Sequence, residues 1–190
     1  MKVIKDIDSF IKDNNITHIF IDIDGVIFHS CQAMIDILNE RYGGNFDGSD
    51  VTSWNFQCCY PNMTSEEIED TFNDPKFFDI VKPIDGALKF MDRYRDKIIL
   101  VTKANIENYA HQRKWFDDRG FNIPMIALPL NVSKSLVNMD SITEYSIFID
   151  DSTQNLIDCN ADFRVQFREF NDQKEREWQK GWDGLVMYQW

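Results

Sequence analysis

Five short apolar runs, at 17–22, 98–101, 125–127, 146–149 and 164–167, constrain this chain more than any other feature. Their continuous Ile/Leu/Val/Phe content suits strands buried on both faces, as in a parallel sheet. Between them lie helical patterns at 86–95, 105–119, 134–139 and 153–159. Strands alternating with helices in this way read as a doubly wound α/β sheet. Val3, Ile4, Ile7, Phe10 and Ile11 recur at helical spacing and Asn14-Asn15 ends the pattern, which predicts an N-terminal helix packed on that sheet.

The interval 28–84 breaks the alternation. It carries helical stretches at 31–42 and 64–73, a turn-rich Gly43-Gly44-Asn45-Phe46-Asp47-Gly48 and the aromatic Trp54-Asn55-Phe56. An inserted helical unit is the natural reading, with the core formed by 1–27 and 85–190. Its basic residues are Arg41, Lys76 and Lys82 against 10 acids, so the insertion is strongly acidic.

Charge excludes some functions. The net charge is -12 with the basic residues dispersed, whereas coating a nucleic acid requires Lys and Arg to neutralise phosphates. The apolar runs fall well short of the ~20 residues that cross a bilayer, and Met1-Lys2-Val3-Ile4-Lys5-Asp6-Ile7-Asp8 has too mixed a charge for a signal peptide. The expected location is the cytoplasm. Cys31, Cys58, Cys59 and Cys159 lack Cys-x-x-Cys spacing, and His18, His29 and His111 are scattered, so no zinc site is expected from them.

The chemistry sits at the strand tips. Asp22-Ile23-Asp24-Gly25-Val26 follows the apolar Ile19-Phe20-Ile21. Residues i and i+2 of extended chain point the same way, and ligands bind beyond the carboxyl ends of parallel strands. Asp22 and Asp24 are therefore expected to share one pocket. Two ionised carboxylates about 4 Å apart repel by roughly 4 kcal/mol at an effective dielectric of about 20, which invites a divalent cation or a retained proton. Thr102 stands after Ile98-Ile99-Leu100-Val101, Lys134 lies in Asn131-Val132-Ser133-Lys134-Ser135, and Asp150-Asp151 follow Ser146-Ile147-Phe148-Ile149. A hydroxyl and an ammonium suit a phosphoryl group, and the second acidic pair suits a hard cation.

In this order and placement, Asp22-Ile23-Asp24-Gly25-Val26, Thr102, Lys134 and Asp150-Asp151 resemble the four motifs of the haloacid dehalogenase-like (HAD) phosphohydrolase superfamily over nearly the whole chain. The insertion falls where the helical type 1 cap of that superfamily leaves its Rossmann-like core. Asp-x-Asp-Gly-Val, Trp54 and Phe77-Phe78 followed by Pro83-Ile84-Asp85-Gly86-Ala87 are most similar to the 5'(3')-deoxyribonucleotidases.

The resemblance implies a role for each residue. Asp22 is the nucleophile that forms an aspartyl-phosphate, and Asp24 the general acid that protonates the leaving oxygen and then the base that activates water. Mg²⁺ is held by Asp22, the Asp24 backbone carbonyl and Asp150, with Asp151 in the metal shell or positioning Lys134. Thr102 and Lys134 contact phosphate, and Trp54 and Phe78 contact the substrate, a small phosphorylated molecule and in particular a deoxynucleoside monophosphate; Lys103, which the family pattern does not supply, is read either as a further phosphate contact or as solvated. Two positions depart from the nucleotidase pattern: Lys103 stands where a Ser usually follows the Thr, and Ser30 stands where an aromatic residue packs the base.

Other readings compete. The ester could belong to another phosphometabolite or to a nucleic-acid 3'-phosphate, although the acidic insertion disfavours the last. A phosphotransferase would share every motif. A catalytically silent binding module would be expected to lose a catalytic carboxylate, and none is missing. Aliphatic dehalogenation has no need of Asp24. Trp178, Trp182, Trp190 and Val186-Met187-Tyr188 read as closing the sheet edge or packing a last helix, with a homodimer contact as the alternative.

Overall fold

A computed structural model describes residues 1–140, 144–169 and 176–190. The polar sequence 171–177 reads as a loop or an exposed helix, and its residues 171–175 lie outside the described residues. Among the described residues seven parallel strands form one sheet: β1 (Lys2–Val3), β2 (Ile16–Ile21), β3 (Ile98–Lys103), β4 (Met125–Leu128), β5 (Tyr145–Asp150), β6 (Phe163–Phe167) and β7 (Leu185–Met187). Their order is β1-β7-β6-β5-β2-β3-β4. The chain leaves β2 toward β3 and β4, then returns to the other side of β2 with β5 and β6. That reversal opens a crevice beyond the tips of β2, β3 and β5.

Alternation along the strands sorts the core into two layers. Ile19, Ile21, Ile147 and Ile149 face the larger layer, with α1 (Ile7–Asp13), α5 (Ala87–Arg93) and α6 (Ile106–Asp117). Phe20, Val101 and Phe148 face a smaller one with α7 (Thr153–Asp158). Residues 28–84 supply α2 (Ser30–Tyr42), α3 (Ser65–Asn73) and α4 (Pro75–Ile80). Thr64 and Glu67 form a capping box that starts α3, and Pro75 opens α4 with Asp74 as its cap.

Two groups of contacts tie residues 28–84 to the rest of the chain. Asn108 Nδ2 donates to the Phe72 carbonyl (2.9 Å) and Asn105 Nδ2 to Asn73 Oδ1 (3.1 Å), tying α3 to α6. On the other flank Arg176 Nη2 donates to the Gly48 carbonyl (2.9 Å), and the Glu177 amide to that of Thr52 (2.9 Å). Glu169, also buried, pairs with both His29 and Arg176.

Two expectations need correction. Val3 and Ile4 do not continue the first helix: Asp6 caps it by accepting from the Asp8 and Ser9 amides, so α1 starts at Ile7, and Lys2–Val3 pair with β7. No helix spans 134–139 either. Ser133 caps a single 3-10 turn over Lys134–Leu136, after which Val137 and Met139 alternate into the smaller layer as extended chain. Apolar residues two apart overrode a helical reading that rested on a short window. At the C-terminus Val186 and Met187 join the sheet in β7. Trp190 stacks on Phe167 at 5.5 Å and its indole donates to the Val26 carbonyl.

Candidate active site

The tip of β2 places Asp22. Its amide donates to the Ile149 carbonyl (2.9 Å), so β2 and β5 stay paired to their ends and Asp150 stands beside Asp22. Gly25 makes the turn that follows, at φ +73. A Cβ there would lie 2.7 Å from Asp151 Oδ2. Gly25→Ala is therefore expected to strain the turn and push Asp151 out of place, lowering kcat by about 10²-fold, the scale of a 1 Å misplacement. Steady-state assays on the folded variant test this, and wild-type turnover would contradict it.

Lys134 comes up from its 3-10 turn into the centre. Its Nζ lies 2.7 Å from Asp22 Oδ1 and 2.7 Å from Asp150 Oδ2, and the residue is 1% exposed. Asp150 also accepts from the Ser152 amide (2.8 Å) and Asn155 Nδ2 (3.1 Å). Asp151 Oδ2 accepts from the Trp178 indole (2.6 Å). Asp24 Oδ1 accepts from Ser30 Oγ (2.6 Å), and its Oδ2 from Gln112 Nε2 (3.2 Å). Gln112 also reaches Thr102 Oγ1 at 3.4 Å.

Charge in this cluster is out of balance. Burial pushes Asp22 up to about 7 against the pull of Lys134, with Asp150 and Asp24 adding to the rise. Burial likewise raises Asp24, opposed by the Ser30 hydrogen bond, and raises Asp151 well above its ordinary value. Burial alone would lower the Lys134 ammonium, but Asp150 and Asp22 overcome it and hold the group above its ordinary value. Asp22, Asp150 and Asp151 each offer an oxygen within 4.8 Å of the others. Three buried carboxylates with one ammonium form an oxygen-only donor set short of positive charge. A hard dication of the Mg²⁺ kind fits it.

A cavity of about 630 Å³ opens above the cluster, lined among others by Asp22, Asp24, Lys103, Lys134 and Trp178. A second, of about 290 Å³, shares Asp24, Trp54 and Lys103 with it and runs under α3 to Ile68, Glu69 and Phe72. Trp54 is half exposed between the two, edge-on to Trp178 at 5.2 Å and 6.1 Å from Phe72. A groove near Asp8, Arg93 and Lys97 matches the larger cavity in volume but lies at the opposite end of the strands, away from the carboxylates.

The structure thus brings Asp22, Asp24, Thr102, Lys103, Lys134, Asp151 and Trp54 to one cleft, with Asp150 beneath it. Phe78 is not brought there. It is buried, stacked on His111 at 5.1 Å, and packs α4 against α6. Sequence reasoning missed Gln112 and Trp178, which act across 88 and 27 residues of chain and carry no local motif.

The chain matches the family described as "5' nucleotidase, deoxy (Pyrimidine), cytosolic type C protein" over residues 14–183. It belongs to this family. It is thus a HAD phosphohydrolase similar to the 5'-nucleotidases, a phosphoric monoester hydrolase. Solved structures agree on the fold. A haloacid dehalogenase-like family hydrolase from Streptococcus pneumoniae superposes with a TM-score of 0.61 at 10% identity, covering 92% of this chain and 94% of that one. A subfamily IA HAD hydrolase from Geobacter sulfurreducens gives 0.56 at 13% identity, with 92% of each chain covered. A Bacillus subtilis protein of HAD-hydrolase type, bound to magnesium, gives 0.54 at 13% identity over 92% of this chain and 95% of that one. No curated protein is a significant sequence match.

Proposed function

We propose that this phosphatase is Mg²⁺-dependent, works through an aspartyl-phosphate on Asp22, and dephosphorylates deoxynucleoside monophosphates in the cytoplasm. The observation that carries the mechanism is the shared cleft of Asp22 and Asp24, with Lys134 bonded to both Asp22 and Asp150. The family description, naming deoxy pyrimidine nucleotides and the cytosol, supports substrate and location. No helix among the described residues is long and apolar enough to cross a membrane.

Each residue has work that its position allows. Asp22, oriented by Lys134 at Oδ1, attacks phosphorus; an O–P bond forms as the ester P–O bond breaks. Asp24 gives its proton to the departing alcohol oxygen. It then takes a proton from water, which attacks the aspartyl-phosphate and releases inorganic phosphate. Thr102, Lys103 and Lys134 bind the phosphoryl oxygens. Asp22, the Asp24 backbone carbonyl and Asp150 would hold Mg²⁺, with Asp151 next to them, and the ion would neutralise phosphoryl charge. Magnesium in the Bacillus neighbour supports this assignment.

In this reading residues 28–84 are the cap and 1–27 with 85–190 the core. The smaller cavity under α3 takes the nucleoside, with Trp54 and Phe72 as its aromatic walls. Trp54→Ala is expected to raise KM for deoxynucleotides by about tenfold, within the range for losing one base-stacking contact, and to leave p-nitrophenyl phosphate hydrolysis unchanged. Equal losses on both substrates would make Trp54 a packing residue and remove the nucleoside pocket.

A further inference from the structure

The Asp24 carboxyl is held on both oxygens by two side chains that none of the four motifs contains. Ser30 Oγ, at the first residue of α2, donates to Oδ1 at 2.6 Å. Gln112 Nε2, from the middle of α6, donates to Oδ2 at 3.2 Å and to Thr102 Oγ1 at 3.4 Å. Ser30 is 3% exposed and Gln112 1% exposed. Gln112 Oε1 is buried with no hydrogen-bond partner among the described residues, so the amide is set toward Asp24 and Thr102 at the expense of its own acceptor.

We propose that Ser30 and Gln112 are positioning residues for proton transfer by Asp24, aiming its carboxyl at the ester oxygen and coupling that aim to Thr102. The proposal rests on the general-acid role given to Asp24 above. Both partners are neutral; the Ser30 hydroxyl can turn to accept as well as donate, while Gln112 donates through Nε2. As neutral donors they favour the ionised carboxyl less strongly than Lys or Arg would, and so leave it free to take up a proton. A group that must serve first as acid and then as base needs that freedom. Ser30 belongs to the insertion and Gln112 to the core, so the carboxyl is aimed only where the two units meet.

The leaving group provides the test. Nucleotides release an alkoxide, which must be protonated, while p-nitrophenyl phosphate releases a stable phenolate, which need not be. The parameter kcat/KM covers steps through the first irreversible one, here breaking of the ester bond. Ser30→Ala and Gln112→Met are each expected to lower kcat/KM for a deoxynucleoside 5'-monophosphate by about tenfold or more, part of the 10²–10⁴-fold of general acid catalysis, and to change that for p-nitrophenyl phosphate far less. In an Asp24→Asn background either change is expected to have no further effect on the nucleotide. Thermal unfolding checks each variant; if one fails to fold, Ser30→Cys or Gln112→Asn replaces it in the same comparison.

Equal falls on the two esters, or an undiminished effect in the Asp24→Asn background, would overturn the positioning role while leaving the phosphatase intact. A wild-type protein whose Asp24→Asn variant keeps full nucleotide activity would instead remove the general-acid reading and this proposal with it. A wild type that releases phosphate from no ester would remove the activity itself.

Discussion

Asp22→Asn is expected to fold normally and to lose turnover, with kcat falling by about four orders of magnitude or more, as when a covalent nucleophile is removed. The amide keeps the side chain's shape but cannot displace an alkoxide from phosphorus to form an acyl phosphate. Stability should not fall with activity. Burial raises Asp22, so ionising it costs folding free energy, and its removal relieves repulsion with Asp150 and Asp24. Lys134 keeps Asp150 as a partner at 2.7 Å. The thermal midpoint in chelator is therefore expected to match or exceed that of wild type. Measurable turnover in a folded, homogeneous variant would remove Asp22 as nucleophile.

Lys134→Met should do the opposite to stability. The ammonium is buried and is bonded to both Asp22 and Asp150, so its loss leaves Asp22, Asp150 and Asp151 without that counter-charge. Breaking a buried pair by removing one partner costs about 3–5 kcal/mol. For a chain of this size each kcal/mol moves the midpoint by about 2–4 °C, so a drop of roughly 10 °C is expected in chelator. Activity should vanish as well, because phosphate would meet only carboxylates.

The pH dependence of that loss has a definite sign. Asp22 moves from 3.8 up to about 7 in the folded protein, and Asp151 moves in the same direction. A raised folded value favours the protonated, folded form, so this contribution to stability is complete below the unfolded value and disappears as pH rises through the folded one. Lys134→Met should therefore be least damaging near pH 4 and most damaging above pH 7. Added Mg²⁺ should narrow the difference. Midpoints measured across pH with chelator or Mg²⁺ test this; a difference independent of pH would place the role of Lys134 outside the carboxylate cluster.

Much of the chemistry was legible because it is local. Asp22 and Asp24 are two residues apart, Asp150 and Asp151 adjacent, and each pair follows an apolar run that could only be a strand. The five apolar runs became β2 to β6 in that order. What escaped was either short or distant. β1 has 2 residues and β7 has 3, too few for a periodicity, and they form only because each finds a neighbour at the sheet edge. Phe78 read as a substrate contact, yet it sits buried in α4, where it meets His111 of α6. No sequence pattern shows which aromatic of an insertion packs inward and which lines the cleft. Ser30 was visible only as a departure from the nucleotidases; its bond to Asp24 depends on how α2 begins.

The most direct measurement is phosphate release by the purified protein from deoxy- and ribonucleoside 5'- and 3'-monophosphates, sugar phosphates and a 3'-phosphorylated oligonucleotide, with Mg²⁺ and with EDTA. The account predicts release from the deoxynucleotides, lost in EDTA and regained with excess Mg²⁺. Equal activity in chelator would contradict the metal-dependent mechanism, and release confined to the other esters would contradict the deoxynucleotide substrate.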